Sequence, residues 1–395
     1  MKNLSSFLFL SSSPITQECF IIANSCRLFR KGMGSMCAKR STWFEEIFGF
    51  PEHKCTYEQV RSQFRLDQND TVLTSLAINC GRSFYIGKFE TPSVEELQSR
   101  LPSTKNPEQA RARLSFFHIS ADVSDLHKNP NNYGAVIQAA SQFNCLEMVS
   151  PHVTPRDGIT DYISDRTQGP ACALACPAAT LYRNYFANGT GQGDEQIDCL
   201  KDAGDVMGNQ DNKYWIMKNG YALPTSAAKM KELGARLRSQ MDTRPSDYHS
   251  TLAKLRVGVQ WNTEVGGSAG ESSSSKTGRR KGPQCVTQVY CSALPIAYTN
   301  TIESIADIEP LARMVLDATY DATLGVAAIL SIERKQRVNV FLTKVGGGVF
   351  GNRDEWITDA IKKSLQKYSF YRLNVFLVHY GSPPLHFLEQ LEEIR

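Results

Sequence analysis

The last third of the chain alternates strand-like and helical apolar runs with little ambiguity, and no other feature limits the fold so tightly. Cys285 to Ser292, Val338 to Thr343 and Leu373 to His379 are short and rich in β-branched and aromatic residues. Pro310 to Leu330 and Arg353 to Tyr368 carry their apolar residues at helical spacing. A β-α-β-α-β series with helices of that length needs right-handed crossovers between parallel strands. Both faces of such a sheet must be covered, so the expected architecture is a three-layer α/β/α domain around a mixed, largely parallel sheet. Ligands then bind at the carboxyl ends of the strands, here just after Ala140, Ser292 and Thr343.

Upstream the same patterns recur less regularly. Leu114 to Ile119 and Ala135 to Ala140 read as strands, and Ala171 to Phe186 as a helix opening after Gly169-Pro170. Lys213 to Ala222 reads as a hairpin turning at Asn219-Gly220, Ser226 to Gln240 as a helix, and Leu255 to Trp261 as a strand. Residues 42–110 are expected to form a layer packed on the core, with helical text at Trp43 to Phe48 and Glu58 to Phe64. A hairpin from Thr71 to Phe89 should turn near Asn79-Cys80-Gly81-Arg82, and Ser93 with Glu96 forms a capping box for a helix to Leu101. Residues 111–395 are then the ligand-binding domain, interrupted at 266–283 by a Gly, Ser, Lys and Arg tract expected to be a disordered loop.

Composition removes several classes of function. Lys plus Arg number 44 against 40 Asp plus Glu, a surplus too small to imply a nucleic-acid partner. The eleven cysteines are odd in number and lack paired CxxC sets, which favours reduced thiols, and Cys172 and Cys176 sit among alanines as core residues do. His118, His127, His152 and His379 show no ligand spacing, so no metal site and no cofactor are expected. No uninterrupted apolar run approaches the roughly 18 to 20 residues of a membrane span. A soluble, monomeric, cytoplasmic protein is the expectation. Residues 1–41 are basic and Ser-rich, either a mitochondrial transit segment or, as preferred here, a disordered extension upstream of Met33 or Met36.

Three stretches at strand ends carry chemistry. After Thr343 the loop Val345-Gly346-Gly347-Gly348-Val349-Phe350-Gly351-Asn352 has four glycines and runs into a helix. Its backbone N–H groups could turn inward on an anion such as a diphosphate; a tight loop needing positive φ explains the same glycines. The second stretch follows Ala135 to Ala140, where Gln138, Ala139, Ser141 and Asn144 offer small and neutral polar groups suited to a ribose or base. The third, Asp165 to Ala171, brings Gln168 and Gly169 to a helix N-terminus. Upstream, Asp122 and Val123 close a strand with a carboxylate. Neither a Walker lysine nor dinucleotide glycine spacing is present, which disfavours a nucleotide triphosphatase or an ordinary dehydrogenase.

The order Ala121-Asp122-Val123, Gln138-Ala139-Ala140-Ser141, a loop opening a helix, then Gly347-Gly348-Val349-Phe350-Gly351 resembles the macrodomain motif series. More specifically, Gln138 to Leu146, Asp165 to Ala173, Val286 to Tyr298 and Phe341 to Asn352 resemble the divergent MavL-like group, over roughly Phe116 to Tyr380. The resemblance implies a macrodomain-like fold that binds ADP-ribose, with Asp122 and Val123 toward adenine, Gln138 to Asn144 near the distal ribose, and the two loops on the diphosphate. It also implies hydrolysis of ADP-ribose from a protein side chain, arginine first, with ubiquitin as a candidate acceptor. The alternative is a reader that binds without cleaving. Gln138, Ser141 and Gln168-Gly169-Pro170 depart from the usual macrodomain residues, so catalysis needs its own carboxylates. Asp307, expected in the loop after Tyr298, and Asp317 and Asp321, one helical turn apart, are the candidates, with Asp165 a further one.

Overall fold

The computed structural model describes residues 43–78, 80–102, 113–266, 282–299, 301–382 and 385–392. The expected N-terminal extension, Asn79 of the first hairpin, and positions 267–281 of the expected disordered loop lie outside the described residues.

Seven strands form the main sheet: β1 (Lys88–Glu90), β2 (Ser115–Ser120), β3 (Val136–Ala140), β4 (Gly258–Glu264), β5 (Cys285–Cys291), β6 (Val338–Leu342) and β7 (Leu373–His379). Their order is β1-β4-β5-β3-β6-β7-β2. The four pairings from β5 to β2 are parallel, and those of β4 with β1 and β5 are antiparallel. The expected mixed, largely parallel sheet is therefore present.

Its two covers are visible in single residues of β5. Cys291 points its thiol at Thr319, whereas Gln288, three positions earlier and so on the other face, donates to the Cys172 carbonyl. Thr319 belongs to the long helix α4 (Ile305–Glu333), and Cys172 to α2 (Gln168–Ala175). A short α1 (Val123–Lys128), α3 (Pro177–Tyr185) and α5 (Asp354–Lys367) complete the elements that position the site.

Two of the helix boundaries that differ from the sequence expectation do so for a proline. Pro177 splits the expected helix Ala171 to Phe186, because Cys176 leaves helical geometry at φ −126° and ψ 67°. Conversely α4 begins five residues before Pro310. The Ala306 carbonyl, which a proline cannot satisfy, instead accepts from the Arg238 guanidinium at 2.5 Å. Asp307 thus lies in the first turn of a helix rather than in a loop.

Helix α4 has 29 residues and is long and apolar enough to cross a bilayer by composition, although scattered Asp and Thr hide this from a search for an unbroken run. Its most apolar window is 83% buried inside the protein, which makes it the central core helix. The hairpin at Asn219-Gly220 is present, with φ of 48° and 79° at its two turn residues. The Ser93 and Glu96 capping box is present too.

Candidate active site

At the carboxyl ends of β3, β5 and β6 lies a cavity of about 830 Å³, counting its open mouth. Glycine loop, helix N-terminus and strand ends meet there as topology requires. The loop after β6 is held from below. The Tyr320 hydroxyl donates to the Thr343 carbonyl at 2.7 Å and accepts from the Val345 N–H at 3.2 Å. Asn352 closes the loop by donating its side-chain amide to the Leu294 carbonyl at 2.9 Å and its backbone N–H to the Gly346 carbonyl at 2.9 Å. Gly346 is indispensable to this closure: its φ is +74°, and a Cβ there would lie 2.4 Å from that of Ala293. The backbone N–H groups of Gly346, Gly348, Val349 and Phe350 have no partner among the described residues, which leaves them for a ligand.

Opposite, Gln168 ties the start of α2 to the end of β3. Its side chain accepts from the Ala140 N–H and donates to the Gln138 carbonyl, both at 2.8 Å. Gly169 follows because space is absent: an added Cβ would sit 2.2 Å from a Glu147 carboxylate oxygen and 2.3 Å from the Ala140 carbonyl oxygen. The Glu147 carboxylate therefore lies against the helix N-terminus and lines the cavity. It is 5% exposed and its carboxylate accepts no hydrogen bond among the described residues, although its N–H donates to the Tyr162 hydroxyl at 3.0 Å. Burial pushes this carboxyl well above the usual carboxylate range, opposed by the Arg183 guanidinium and reinforced by Asp165. A carboxyl so placed, raised by burial and facing a cavity, is a group that can pass a proton to and from a bound substrate.

Asp165 lines the same wall and accepts from the Thr167 N–H at 2.8 Å. Its loop is pinned by Glu52 from the N-terminal layer, whose carboxylate accepts from Ile159 and Thr160 and from the Tyr185 hydroxyl. The remaining wall is aromatic. Tyr221, Tyr298 and Phe350 stand with ring centres 5.3, 5.6 and 5.6 Å apart, and the Tyr221 hydroxyl donates to the Met148 carbonyl at 2.6 Å. Lys344, bridged to Asp354 at 2.9 Å, adds the cavity's positive charge.

Two solved structures similar to this chain are poly(ADP-ribose) glycohydrolases. That from Thermomonospora curvata has 11% identity and a TM-score of 0.41, covering 91% of this chain and 100% of its own. That from Deinococcus radiodurans, in complex with ADP-ribose, has 11% identity and a TM-score of 0.38, covering 78% and 95%. No family model matches the chain, and no curated protein does.

Of the residues singled out in the sequence, the cavity gathers Ser141, Gln168, Gly169, Val345, Gly346, Gly348, Val349 and Phe350. Others lie beneath or beside it. Gln138 is fully buried under the floor, donating to Thr323 and accepting from the Thr343 N–H, and Ala139 is core. Asn144 is sealed by Gln196 and the Leu146 N–H. Gly347 faces Ile357, and Gly351 faces Ala297. Asn352 serves the loop itself.

Asp122 caps α1 through the Ser124 N–H, and Val123 packs in the core, so neither lines the cavity. The three aspartates expected to act there do not reach it. Asp307 abuts Gly234 through its backbone, while Asp317 and Asp321 face α5, paired with Lys363 and Lys367. Helical spacing correctly put this pair on one face, but it is the face packed on a neighbouring helix. Glu147 was missed. Its signal is a lone acid in the apolar run Phe143 to Val149, directly after a strand end.

Proposed function

We propose that the protein binds ADP-ribose in this cavity and hydrolyses the bond that joins it to a protein side chain. The observation that carries the reading is one buried carboxylate, Glu147, without a hydrogen-bond partner among the described residues, set between a helix N-terminus and a glycine loop whose amides are likewise unpaired there. The loop amides suit a diphosphate, and the Tyr221, Tyr298 and Phe350 wall suits a flat base or ribose face. The macrodomain resemblance of the sequence likewise puts the glycine loop on the diphosphate, whereas Asp122 and Val123, which it puts toward adenine, lie outside the cavity. The solved structure from Deinococcus radiodurans holds the same ligand.

Glu147 would take a proton from water as its oxygen attacks the anomeric carbon of the distal ribose, and return a proton to the departing nitrogen. The C–N bond breaks, and free ADP-ribose and the unmodified side chain result. For the acceptor, arginine is favoured: Glu147 and Asp165 line the cavity together and complement a guanidinium. Ubiquitin, suggested by the MavL-like resemblance, is the first acceptor protein to try.

Proteins ADP-ribosylated on Arg, Glu or Ser, incubated with the enzyme, test this through mass-spectrometric release of ADP-ribose, alongside calorimetric titration with free ADP-ribose. Release from the Arg-linked substrate and saturable binding are expected. Binding without release from any linkage would make the protein a reader, and neither binding nor release would overturn the proposal.

A further inference from the structure

Arg183 is fully buried, yet among the described residues the hydrogen-bond partners of its guanidinium are all neutral. It donates to the Cys145 carbonyl at 2.9 Å, to the Tyr290 hydroxyl and to Thr180 Oγ1 at 3.2 Å, and it lies 3.6 Å from the centre of the Tyr290 ring. A buried cation costs several kcal/mol unless an anion balances it. Hydrogen bonds to neutral groups orient the guanidinium without supplying that balance.

The web behind it is neutral as well. Tyr290 donates to Gln288 Oε1 at 2.6 Å, and Gln288 donates to the Cys172 carbonyl and to His127 Nε2, each at 2.8 Å. His127 is neutral, since burial pulls it down to about 4 against the opposing effect of the Val123 carbonyl, to which its Nδ1 donates at 2.7 Å. No group in this web is the missing anion. The carboxylate on which the Arg183 charge acts favourably is Glu147, two residues beyond the carbonyl that Arg183 holds.

We propose that Arg183 is a positioning residue for Glu147, the fixed positive charge that balances this carboxylate and the tether that aims its backbone into the cavity. The inference rests on the reading of Glu147 as the proton-transferring group, and it adds how the fold keeps that group able to ionise. The other groups facing Glu147 work against ionisation or are neutral. Asp165 and the Cys145 thiol oppose it, and the Tyr162 phenol, itself pushed up by burial, stays protonated. Lys344 stands elsewhere on the cavity wall, already bridged to Asp354.

The test follows the Glu147 carboxyl in ligand-free full-length protein by isotope-edited infrared titration, with Glu147→Gln as the spectral blank. Arg183→Gln keeps hydrogen-bonding capacity and removes the charge, so the Glu147 midpoint should rise by about one pH unit or more. Arg183→Lys keeps a charge and should leave the midpoint near wild type. Tyr290→Phe removes a neutral partner only, and should leave it there too. A midpoint unmoved in Arg183→Gln would overturn the proposal. So would a midpoint that climbs in Arg183→Lys or Tyr290→Phe, and both of these can be read even if Arg183→Gln does not fold. Because the readout needs neither ligand nor turnover, its failure is distinct from a failure to bind or cleave ADP-ribose.

Discussion

Glu147 and Asp321 are similarly buried, 5% and 9% exposed, and differ in everything bonded to them. Asp321 accepts from the Tyr368 hydroxyl at 2.6 Å, from Lys367 and weakly from Gln98, tying α4 to α5 and to the helix Val94–Ser99. Glu147 has no hydrogen-bond partner on its carboxylate among the described residues and opens onto a cavity. Burial alone therefore does not mark a carboxylate for chemistry. One whose lone pairs are filled by the protein is holding structure, and one left empty at a cavity wall is available to a substrate or a proton. Glu52, with its carboxylate filled by two backbone N–H groups and two hydroxyls, belongs with Asp321.

The contrast can be broken most forcefully by Gly169→Ala. Its methyl would meet both the Glu147 carboxylate and the Ala140 carbonyl inside 2.4 Å, distances no relaxation of one side chain removes. Release of ADP-ribose should vanish, and calorimetric melting should show a loss of about 1–3 kcal/mol.

The next effect is pH-dependent and tests groups on the structural side of the contrast. His127 is held at about 4 in the folded chain against 6.5 unfolded, so the unfolded chain takes up its proton first as pH falls. Stability from this group is fully present above about 6.5 and is lost progressively toward 4, to the extent of about 2–3 kcal/mol. Denaturant unfolding of wild type and His127→Gln across that window should show a shallower slope in the variant; equal slopes would remove His127 from the account.

Asp321→Asn weakens the pairing with Lys367 and the acceptor that holds Tyr368. It should cost about 1–3 kcal/mol in denaturant unfolding while leaving ADP-ribose release at the wild-type rate. Asp317→Asn should be milder, within about 1 kcal/mol, because its partner Lys363 is 56% exposed and solvent screens the pair. A large loss of release in either variant would return these aspartates to the active site.

Most of the sheet was legible because strand and helix periodicities differ and the connecting helices are long; the edge strand Lys88–Glu90 was not, since it was expected within the Thr71 to Phe89 hairpin and instead pairs with β4. Boundaries slipped where a proline had two readings: Pro177 breaks a helix, whereas Pro310 is tolerated because Arg238, distant in sequence, satisfies the carbonyl it strands. The glycine loop and Gln168-Gly169 were legible for a similar reason, since positive φ and close approach leave glycine as their mark. The catalytic candidate was not. Asp317 and Asp321 carry the spacing of a shared face, but spacing does not say whether a face meets a cavity or a neighbouring helix. Glu147 carries only the weak mark of a lone acid in a mostly apolar stretch after a strand end. Its place depends on Gly169 arriving against it from another part of the chain, and that is a property of packing alone.

Glu147 is proposed as the carboxyl that performs the chemistry. The direct measurement is the single-turnover rate of ADP-ribose release from an arginine-ADP-ribosylated protein by wild type and by Glu147→Gln, each first shown by calorimetry to bind ADP-ribose. The account predicts that Glu147→Gln retains binding and releases ADP-ribose about a hundredfold more slowly or worse. Release by Glu147→Gln at the wild-type rate would contradict it.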